Sequence, residues 1–525
     1  MNRVDFHVNY SVVLKQAYIS YIPCSMDDKR CSAFKTGFLS EYLIKGKKVY
    51  FIGIKGTGMC ALAELMQKHG SNVSGSDTGE VFYTDDILKE LNIPFFESFD
   101  PSHIKSGDPD LVIYSAAYSR ETNAEIAETL KRGIPILSYP EALGAYSQLF
   151  DSTGIAGVHG KTTTTALAGT LLRGASVPAQ VLAGSAVNSF GNRSTMQIGE
   201  KYFAAETCEY RKHFLFFHPQ RIILTSVEKD HLDYFPTYKS IRDAFLEFVR
   251  LLPPGGELIY CADDPGAVEV AMALKDERPE AILLPYGFNA QGDFRIESYM
   301  IKNERIVMKL SGFPGELAIR IPGKHTARNA AAALALCSLL VKKEFASGSG
   351  DGWTEERREG VRRALEEFSG SKRRSEILGE AGGILFMDDY GHHPTAIKTT
   401  LEGIKEFYPG RRIVLSFMSH TFTRTAMLID EFAASFENTD ILLLHKIYSS
   451  AREVYNGGVS GRTLFEKTLE KFPDRKDRII YSEEVDDGYY PIKAILKSGD
   501  LFITMGAGEN WRLGKSLFNF YSKEG

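Results

Sequence analysis

The fold of this chain is decided by the stretch Gly157-Val158-His159-Gly160-Lys161-Thr162-Thr163, which lies between a short apolar segment and a helix-like segment. A glycine-rich turn between a strand and a helix holds nucleoside triphosphate phosphates, because its backbone N–H groups and the helix N-terminus face the anion. Lys161 adds a positive charge, and the Thr162 hydroxyl can reach Mg²⁺. The common pattern has glycine where this chain has Ile155, so a Gly/Thr-rich turn with a surface lysine is the alternative interpretation. The strand–turn–helix context favours the phosphate loop.

The composition is that of an ordinary globular protein with full-sized hydrophobic cores. The 525 residues suggest about three domains, and 43% of them are hydrophobic. The net charge of -5 provides no electrostatic basis for binding nucleic acid or an anionic membrane. The cysteines form no C-x-x-C pair, which argues against a zinc site or a disulfide framework and favours a reducing cytoplasm. The longest apolar run, 330–341, is too short to span a bilayer, and residues 1–46 receive no function.

A second glycine-rich turn, Gly53-Ile54-Lys55-Gly56-Thr57-Gly58, follows the apolar segment 48–52. Later strand-like segments end at Ser76-Asp77 and at Tyr114-Ser115-Ala116. Strands that alternate with helices predict a parallel sheet whose ligands bind at the carboxyl ends of the strands. An acidic residue about 20 positions after the glycines is typical of dinucleotide-binding folds. Because the spacing is G-x-x-G-x-G rather than G-x-G-x-x-G, the turn indicates a diphosphate and only weakly a nicotinamide dinucleotide.

Two polar clusters follow strand-like segments in the central part of the chain. Glu206-Thr207-Cys208-Glu209 ends one segment, and Asp230-His231 lies just beyond another. In a phosphate-loop fold these positions lie beside the triphosphate, where a carboxylate and an imidazole can hold a divalent metal. The alternative is a helix-capping glutamate with a structural histidine.

Two further clusters lie in the last third of the chain. The sequence Asp388-Asp389-Tyr390-Gly391-His392-His393-Pro394 follows one apolar strand. His420 and Arg424 follow another strand and are four residues apart, as on one helical face. An arginine at such a place can bind a carboxylate through two hydrogen bonds. A polar turn and a solvated helix face are the alternatives, and no Ser/His/Asp triad or cysteine nucleophile can be assembled from the sequence.

Nine motifs in this order and spacing resemble those of the Mur ligases, the ATP-dependent amide-bond-forming enzymes of peptidoglycan precursor synthesis. Each motif alone is weak, but together they are highly specific and cover the chain from residue 47 to the C-terminus. The motifs are GIKGTGM (53–59), GVHGKTTTT (157–165), ETCEYRKHFL (206–215), EKDHLDYF (228–235), GKHTARNAAAAL (323–334), DDYGHHPT (388–395), SHTFTRT (419–425), IYSSARE (447–453) and TMGAG (504–508). The phosphate loop with Ile155 resembles the family's shorter G-x-x-G-K-T form.

The resemblance implies an α/β fold of three domains. The expected order is an N-terminal Rossmann-like UDP-substrate domain (47–148), a central phosphate-loop ATPase domain with a mixed or parallel sheet (149–370) and a C-terminal Rossmann-like domain (371–525). Residues 1–46 are then an unassigned extension.

The implied reaction joins L-alanine to the carboxylate of UDP-N-acetylmuramate. ATP is the co-substrate and Mg²⁺ the metal. An acyl phosphate forms first, and the products are UDP-N-acetylmuramoyl-L-alanine, ADP and phosphate. We expect a cytoplasmic enzyme of cell-wall biogenesis that is a monomer or weak homodimer, without nucleic acid partners or membrane insertion.

Three alternative functions stay open on the sequence. A ligase that attaches a recycled murein tripeptide to the same UDP-sugar would need a larger amine pocket. A nicotinamide-dependent dehydrogenase built on the first domain would leave the Gly-Lys-Thr loop unexplained. A nucleotide-binding switch would bind ATP without catalysis.

The resemblance assigns roles motif by motif. The UDP diphosphate is assigned to Gly53, Lys55, Gly56, Thr57 and Gly58, and the uridine–sugar pocket to Asp77, Ser115 and Ala116. ATP is assigned to Gly157, His159, Gly160, Lys161, Thr162, Thr163, His325 and Asn329, with Arg374 and Asp389 reaching the nucleotide from the C-terminal domain. The metal is assigned to Thr162, Glu209 and His231, and the substrate carboxylate and amino acid to His392, His393, His420 and Arg424. Groups expected to act in catalysis are Lys161, Glu209, His231, Arg374, His392 and His393, and the base that deprotonates the amine is not identified.

The chain departs from the family pattern at three places. Thr326 stands where asparagine is usual, Met418-Ser419 where Gln-Pro is usual, and Glu509 where aspartate is usual. The first two concern nucleotide contacts and the amino-acid pocket, and none removes a residue that the chemistry requires.

Overall fold

The computed structural model describes residues 38–43, 45–231, 234–449 and 458–524. Most of the N-terminal extension 1–46 lies outside the described residues, as do residues 232–233 and 450–453 of two motifs. The chain divides into two compact units, 1–149 and 150–525. No helix in the described ranges is both long and apolar enough to cross a membrane.

The first unit is built on a parallel sheet with helices between its strands. The strands are β1 (Lys48–Ile52), β2 (Asn72–Ser76), β3 (Phe95–Phe96), β4 (Leu111–Tyr114) and β5 (Ile136–Ser138). The helices are α1 (Thr57–Lys68), α2 (Thr84–Glu90), α3 (Pro101–Gly107), α4 (Ala124–Arg132) and α5 (Tyr139–Ser147). The strand order is β3-β2-β1-β4-β5, so the winding direction reverses at β1 and opens a crevice at the strand carboxyl ends. The predicted strand 48–52 is confirmed.

The central domain occupies the first part of the second unit and has a mixed sheet. Its strands are β6 (Asp151–Ala156), β7 (Ala179–Val187), β8 (Arg193–Gln197), β9 (Tyr202–Glu206), β10 (Arg221–Leu224), β11 (Glu257–Cys261) and β12 (Ile282–Tyr286). The order is β12-β11-β10-β6-β9-β7-β8, and β8 is antiparallel to β7 whereas the other pairs are parallel. The strands β9 and β10 are largely buried, which explains their mostly apolar sequences, whereas the equally buried β6 is built mainly from small residues.

Helices cover this sheet and connect its strands. They are α6 (Lys161–Gly174), α7 (Tyr238–Val249), α8 (Pro265–Glu277), α9 (Lys324–Phe345) and α10 (Glu355–Glu366). The alanine-rich α9 is buried along much of its length, and the small side chains allow it to pack closely on α6.

A small antiparallel sheet that the sequence analysis did not predict lies before α9. Its strands are β13 (Ile296–Ile301), β14 (Ile306–Leu310) and β15 (Phe313–Ile319). Asn303 and Glu304 take φ values of 51° and 52°, which produce the tight reversal between β13 and β14. Only part of each strand is buried, so these segments lack the long apolar runs that identify the other strands.

The C-terminal domain is a second doubly wound sheet. Its strands are β16 (Glu376–Ala381), β17 (Ile384–Asp389), β18 (Arg412–Met418), β19 (Ile441–Leu444), β20 (Ile479–Tyr481) and β21 (Asp500–Gly506), in the order β16-β17-β21-β18-β19-β20. The edge strand β16 is antiparallel, and the other pairs are parallel. The helices are α11 (Pro394–Phe407), α12 (Phe422–Met427), α13 (Ile429–Ser435), α14 (Gly461–Lys471), α15 (Tyr489–Ile495) and α16 (Trp511–Glu524). The predicted three-domain α/β fold is confirmed, while the boundaries at 148/149 and 370/371 stay predictions.

Candidate active site

The phosphate loop connects the buried end of β6 to the first turn of α6. Gly157 and Gly160 have φ values of 139° and 81°, a backbone conformation that other residues rarely adopt. A Cβ at Gly157 would lie 2.0 Å from Oγ1 of Thr225, and one at Gly160 would lie 2.7 Å from Oδ1 of Asn329. Close packing against β10 and α9 therefore requires glycine at both positions.

Lys161 lies beneath this loop and contacts a buried carboxylate. Its Nζ is 2.9 Å from Oε2 and 3.2 Å from Oε1 of Glu209, which is 2% exposed. Nε2 of His231 is 3.3 Å from the same Oε1. Burial favours the neutral carboxyl, but the ammonium of Lys161 and the ring of His231 hold the pKa of Glu209 below its usual value. Three residues from separate motifs thus meet at the carboxyl ends of neighbouring strands.

This cluster fits a divalent cation. Oε2 of Glu209 is buried and lies 2.9 Å from Nζ of Lys161, but it accepts no hydrogen bond of good geometry from the described residues, which leaves a lone pair for a cation. His231 has a φ of 49°, and its N–H donates to Oδ1 of Asp230 at 2.6 Å. Such a strained conformation in a non-glycine residue is characteristic of positions where a side chain is aimed at a site. A carboxylate oxygen, an imidazole nitrogen and the hydroxyl of Thr162 in the first turn of α6 form a suitable donor set.

Two arginines of the C-terminal domain reach the central domain. Nη2 of Arg374 is 3.4 Å from Oγ1 of Thr162, and its guanidinium carbon lies 5.1 Å from the ring centroid of Tyr390. Arg424 donates from Nη2 and Nε to Oδ1 of Asp230, at 2.7 and 3.1 Å. Arg424 and Asp230 are both buried, and although burial opposes ionisation, Arg424 holds the pKa of Asp230 well below its usual range.

A second contact between these domains passes through Glu228. Its Oε1 pairs with Nε2 of His159 in the phosphate loop, and its Oε2 accepts from Oγ1 of Thr395 at 3.1 Å. Ligand atoms of His159, Glu228 and His393 lie within 4.8 Å of one another. The backbone N–H of Thr395 donates to Nδ1 of His393 at 3.3 Å, so a neutral His393 carries its hydrogen on Nε2. In this tautomer Nε2 of His393 carries a hydrogen and no lone pair, so it is not available to ligate a metal.

The residues after β17 and β18 bring three histidines to the same region. Nδ1 of His392 is 2.9 Å from the carbonyl oxygen of Tyr390, and the rings of His392 and His420 are perpendicular at 5.6 Å. Burial and the nearby Arg424 lower the pKa of His392 well below its usual value. The prediction that His420 and Arg424 share a helical face is wrong, because α12 begins at Phe422. They nevertheless touch, since Nη1 of Arg424 is 3.2 Å from Nδ1 of His420.

The environments of His325 and Asp389 are set by neighbouring protein groups. Burial, Arg328 and His159 lower the pKa of His325 to about 4, so the ring is neutral at physiological pH. The two oxygens of Asp389 accept from backbone N–H groups of Ser375 and Gly391, each at 2.6 Å. The carboxylate thus orders two turns of its own domain, and its contact with a nucleotide stays a prediction.

The first unit places its glycine turn at the carboxyl ends of β1, β2 and β4. Gly53 has a φ of 84°, and a Cβ there would lie 2.8 Å from that of Ser115. The backbone N–H of Lys55 donates to Oδ2 of Asp77 at 2.7 Å. Nζ of Lys55 is buried against Asp85 at 3.2 Å and donates to the carbonyl oxygen of Glu80 at 2.9 Å. Both the ammonium and the backbone N–H of Lys55 are thus engaged by protein oxygens, and its contact with a diphosphate stays a prediction.

The three departures from the family pattern have local partners. Oγ1 of Thr326 donates to the carbonyl oxygen of Pro322 at 2.8 Å, which holds the start of α9. Met418 is buried at the end of β18, and Oγ of Ser419 is 2.6 Å from that of Thr425 in α12. Glu509 pairs with Arg512 at 2.9 Å.

The site contains residues to which the sequence assigned no role. They are Glu228, Thr395 and Tyr390, together with Asp230, which was identified only as the neighbour of His231. Asp230 and Glu228 follow β10 just before His231, so their position at a strand end was the signal available. Asp230 pairs with Arg424 and Glu228 with Thr395 across the two domains, and sequence spacing carries no information about such pairs.

Comparisons with known proteins cover almost the whole chain. Three family models match: "Mur ligase family, catalytic domain" over residues 48–151, "Mur ligase middle domain" over 155–337 and "Mur ligase, glutamate ligase domain" over 373–508. A UDP-N-acetylmuramate–L-alanine ligase of Treponema pallidum (strain Nichols) is 50% identical over 481 residues, which cover 92% of this chain and 98% of that protein.

Two solved structures share the fold. The UDP-N-acetylmuramate–alanine ligase of Thermotoga maritima has a TM-score of 0.71 at 23% identity and covers 91% of this chain and 100% of its own. The murein peptide ligase of Psychrobacter arcticus 273-4 has a TM-score of 0.62 at 23% identity and covers 91% of this chain and 99% of its own. With three family models in order and a relative at 50% identity along nearly its whole length, this chain belongs to the Mur ligase family.

Proposed function

We propose that this chain uses ATP to join L-alanine to the carboxylate of UDP-N-acetylmuramate, as a step of peptidoglycan precursor synthesis. The products are UDP-N-acetylmuramoyl-L-alanine, ADP and phosphate. The observation that carries the proposal is the meeting of Lys161, Glu209 and His231 beneath the phosphate loop with Arg374 of the C-terminal domain at Thr162. The Treponema relative supports the choice of L-alanine.

The site residues divide by substrate. The UDP-sugar is assigned to the first domain, at Gly53, Lys55, Gly56, Thr57, Gly58, Asp77, Ser115 and Ala116. The ATP phosphates are assigned to Gly157, His159, Gly160, Lys161, Thr162 and Thr163, and the remaining nucleotide contacts to His325, Asn329, Arg374 and Asp389. The acceptor carboxylate and the amino acid are assigned to His392, His393, His420 and Arg424.

Thr162, Glu209 and His231 would hold Mg²⁺ in this site. When bound, the ion supplies positive charge that neutralises phosphate oxygens during phosphoryl transfer. Lys161 supplies further positive charge from the chain itself. Its ammonium stays protonated beside Glu209, and displacing it would leave that buried carboxylate without its lysine partner.

Phosphoryl transfer from ATP needs positioning and charge neutralisation more than a protein nucleophile. The substrate carboxylate attacks the γ-phosphate, and Lys161 and Arg374 stabilise the negative charge on the oxygens of that phosphate. The acyl phosphate that results must be kept from water. The buried contact between Arg424 and Asp230 holds the C-terminal domain against the central domain and so closes the reaction centre.

The remaining assignments follow from the same reaction. We place the domains at 47–148, 149–370 and 371–525, since the family models divide the chain near these positions. A cytoplasmic location suits an enzyme that consumes ATP and a UDP-sugar. A monomer or weak homodimer is the expected assembly, because the residues that meet around the phosphate loop all belong to one chain.

Phosphate release tests the proposal directly. The purified chain is mixed with ATP, Mg²⁺ and UDP-N-acetylmuramate, and phosphate is measured across a panel of amino acids. Release is expected with L-alanine and absent when the UDP-sugar is omitted. Failure of every amino acid to release phosphate would contradict ligase activity.

The murein tripeptide ligase is the second candidate, because the Psychrobacter enzyme shares the fold. The panel therefore includes L-alanyl-γ-D-glutamyl-meso-diaminopimelate. A tripeptide preferred over L-alanine would favour this alternative and overturn the choice of amine.

A further inference from the structure

The adjacent residues His392 and His393 lie between β17 and α11 and point to different partners. Nδ1 of His392 is 2.9 Å from the carbonyl oxygen of Tyr390. A carbonyl oxygen only accepts hydrogen bonds, so Nδ1 of His392 carries the hydrogen. The neutral ring then has its lone pair on Nε2.

His393 is fixed in the opposite tautomer. It is the N-cap of α11, where its Nδ1 accepts from the backbone N–H of Thr395 at 3.3 Å. A backbone N–H only donates, so Nδ1 of His393 carries the lone pair and Nε2 carries the hydrogen. That Nε2 is buried, and it has no hydrogen-bond partner among the residues that the structure describes. A buried donor in this state is available to an acceptor supplied by a ligand.

The two rings also face different parts of the site. The ring of His393 lies 5.2 Å from that of His159 in the phosphate loop. The ring of His392 lies 5.6 Å from that of His420, beside Arg424. His420 cannot share the role of a base through Nδ1, because Nη1 of Arg424 donates to that atom at 3.2 Å. Of these three histidines, His392 therefore presents a lone pair on the side of Arg424, and His393 presents a donor on the side of the phosphates.

We propose that Nε2 of His392 is the base that removes the proton from the attacking amine, while Nε2–H of His393 donates to a phosphate oxygen. This assignment rests on the ligase function proposed above. Burial and the positive charge of Arg424 lower the pKa of His392, while the nearby Asp230 opposes them, so the neutral ring with its lone pair on Nε2 is the populated form at neutral pH.

Nε2 of His392 takes one proton from the ammonium of L-alanine, which frees the nitrogen lone pair, and that proton later passes to solvent. The lone pair attacks the carbonyl carbon of the acyl phosphate, the C–N bond forms, and the π electrons move to the carbonyl oxygen. The oxygen electron pair then re-forms the C=O bond, the bond from carbon to the phosphate oxygen breaks, and phosphate leaves with that pair. The second nitrogen proton leaves with the phosphate, so both protons that the reacting ammonium loses are accounted for.

Two matched variants, His392→Asn and His393→Asn, separate these roles. The amide nitrogen of an asparagine at 392 can still donate to the carbonyl oxygen of Tyr390, and the amide oxygen of one at 393 can still cap α11. Each variant thus keeps the observed hydrogen bond and removes only the distal ring nitrogen. Circular dichroism and thermal unfolding show whether each is folded, and His392→Gln replaces His392→Asn if that variant is not.

The assay compares two nucleophiles with ATP, Mg²⁺ and UDP-N-acetylmuramate. L-alanine is a protonated ammonium at neutral pH and needs a base, whereas hydroxylamine is largely unprotonated and traps acyl phosphates as hydroxamates without one. We expect His392→Asn to lose about 100-fold or more of amide formation while hydroxamate formation stays within about threefold of wild type. We expect His393→Asn to lower both products in parallel, because its donor acts at the phosphates.

Two results would overturn the assignment. One is equal loss of amide and hydroxamate in His392→Asn, and the other is amide formation by that variant at the wild-type rate. A wild-type chain that forms neither product would instead contradict the proposed ligase function, so the two failures are distinguishable.

Discussion

Lys161 is held beneath the phosphate loop by the carboxylate of Glu209, with Nζ and Oε2 2.9 Å apart. Glu209 is buried, and His231 lies on the same carboxylate. Removal of the ammonium therefore has two effects. It withdraws positive charge from the triphosphate, and it leaves Glu209 with a weaker partner in a buried position.

We expect Lys161→Ala to lower turnover by about 100-fold or more, because one preorganised charge at a reacting phosphate has an effect of that order. Phosphate release with L-alanine measures this. Lys275→Ala is the control, since Nζ of Lys275 donates to backbone carbonyls of Pro279 and Ala281 beyond α8. Wild-type turnover in Lys161→Ala with a native circular dichroism spectrum would contradict the role.

His445 gives a prediction about pH. It is 2% exposed, its Nδ1 contacts the carbonyl oxygen of Ser482 at 3.1 Å, and burial lowers its pKa to about 4. In the unfolded chain His445 takes up a proton near pH 6.5, whereas in the folded chain it stays neutral until about pH 4. Protonation of the unfolded chain therefore lowers the free energy of unfolding as pH falls from about 6.5 to 4. The reduction is at most about 3 kcal/mol, and it is absent above pH 6.5.

Urea denaturation at pH 7.0 and pH 5.0 measures this contribution. His445→Asn keeps a donor toward Ser482 but cannot be protonated, so its free energy of unfolding is expected to change less between the two pH values than that of wild type. An identical pH dependence in both proteins would show that His445 does not titrate in this range.

At the scale of elements, the phosphate loop depends on how closely β6, β10 and α9 approach it. Gly157 combines a φ of 139° with a site where a Cβ would lie 2.0 Å from Oγ1 of Thr225. We expect Gly157→Ala to displace the loop and to raise the KM for ATP by about 10-fold or more, since both strain and a steric clash oppose the native turn.

Gly410→Ala is the matched control for that variant. A Cβ at Gly410 meets nothing within 4 Å, and the residue lies in the turn before β18. Its KM for ATP is expected to equal that of wild type. Steady-state kinetics with ATP as the varied substrate compare the two, and equal KM values for Gly157→Ala and Gly410→Ala would contradict the steric argument.

At the scale of the whole molecule, the ion pair of Arg424 with Asp230 joins the C-terminal and central domains within the 150–525 unit. Removal of one partner from a buried pair leaves an unpaired charge, which costs about 3–5 kcal/mol if the domains stay together. Arg424→Ala is therefore expected to raise the KM for L-alanine by about 10-fold or more. The variant loses the proposed contact with the carboxylate of L-alanine, and it weakens the packing of the C-terminal domain on the central domain.

Arg512→Ala is the control, because its pair with Glu509 is largely exposed and such pairs contribute little. Kinetics with L-alanine as the varied substrate give the KM, and small-angle X-ray scattering reports opening of the C-terminal domain. An unchanged KM in Arg424→Ala would remove Arg424 from the amino-acid site.

The sequence by itself determined the fold class and the position of the glycine turns. The strands β1, β10, β17, β18 and β21 are buried and largely apolar, so their hydrophobic runs identify them without a structure. The sheet β13–β15 was not predicted, because its strands are only partly buried and lack long apolar runs. The motifs also named Lys161, Glu209 and His231, which follow strands and lie in local sequence signatures.

Only the tertiary structure decided which of these residues meet. Asp230 and Arg424 are 194 positions apart and Thr162 and Arg374 are 212 apart, so no local pattern relates them. The tautomers of His392 and His393 were likewise beyond the sequence, because one is set by a carbonyl oxygen and the other by a helix N–H. Periodicity reports the burial of an element, whereas the chemistry of this site depends on contacts that form when the central and C-terminal domains pack together.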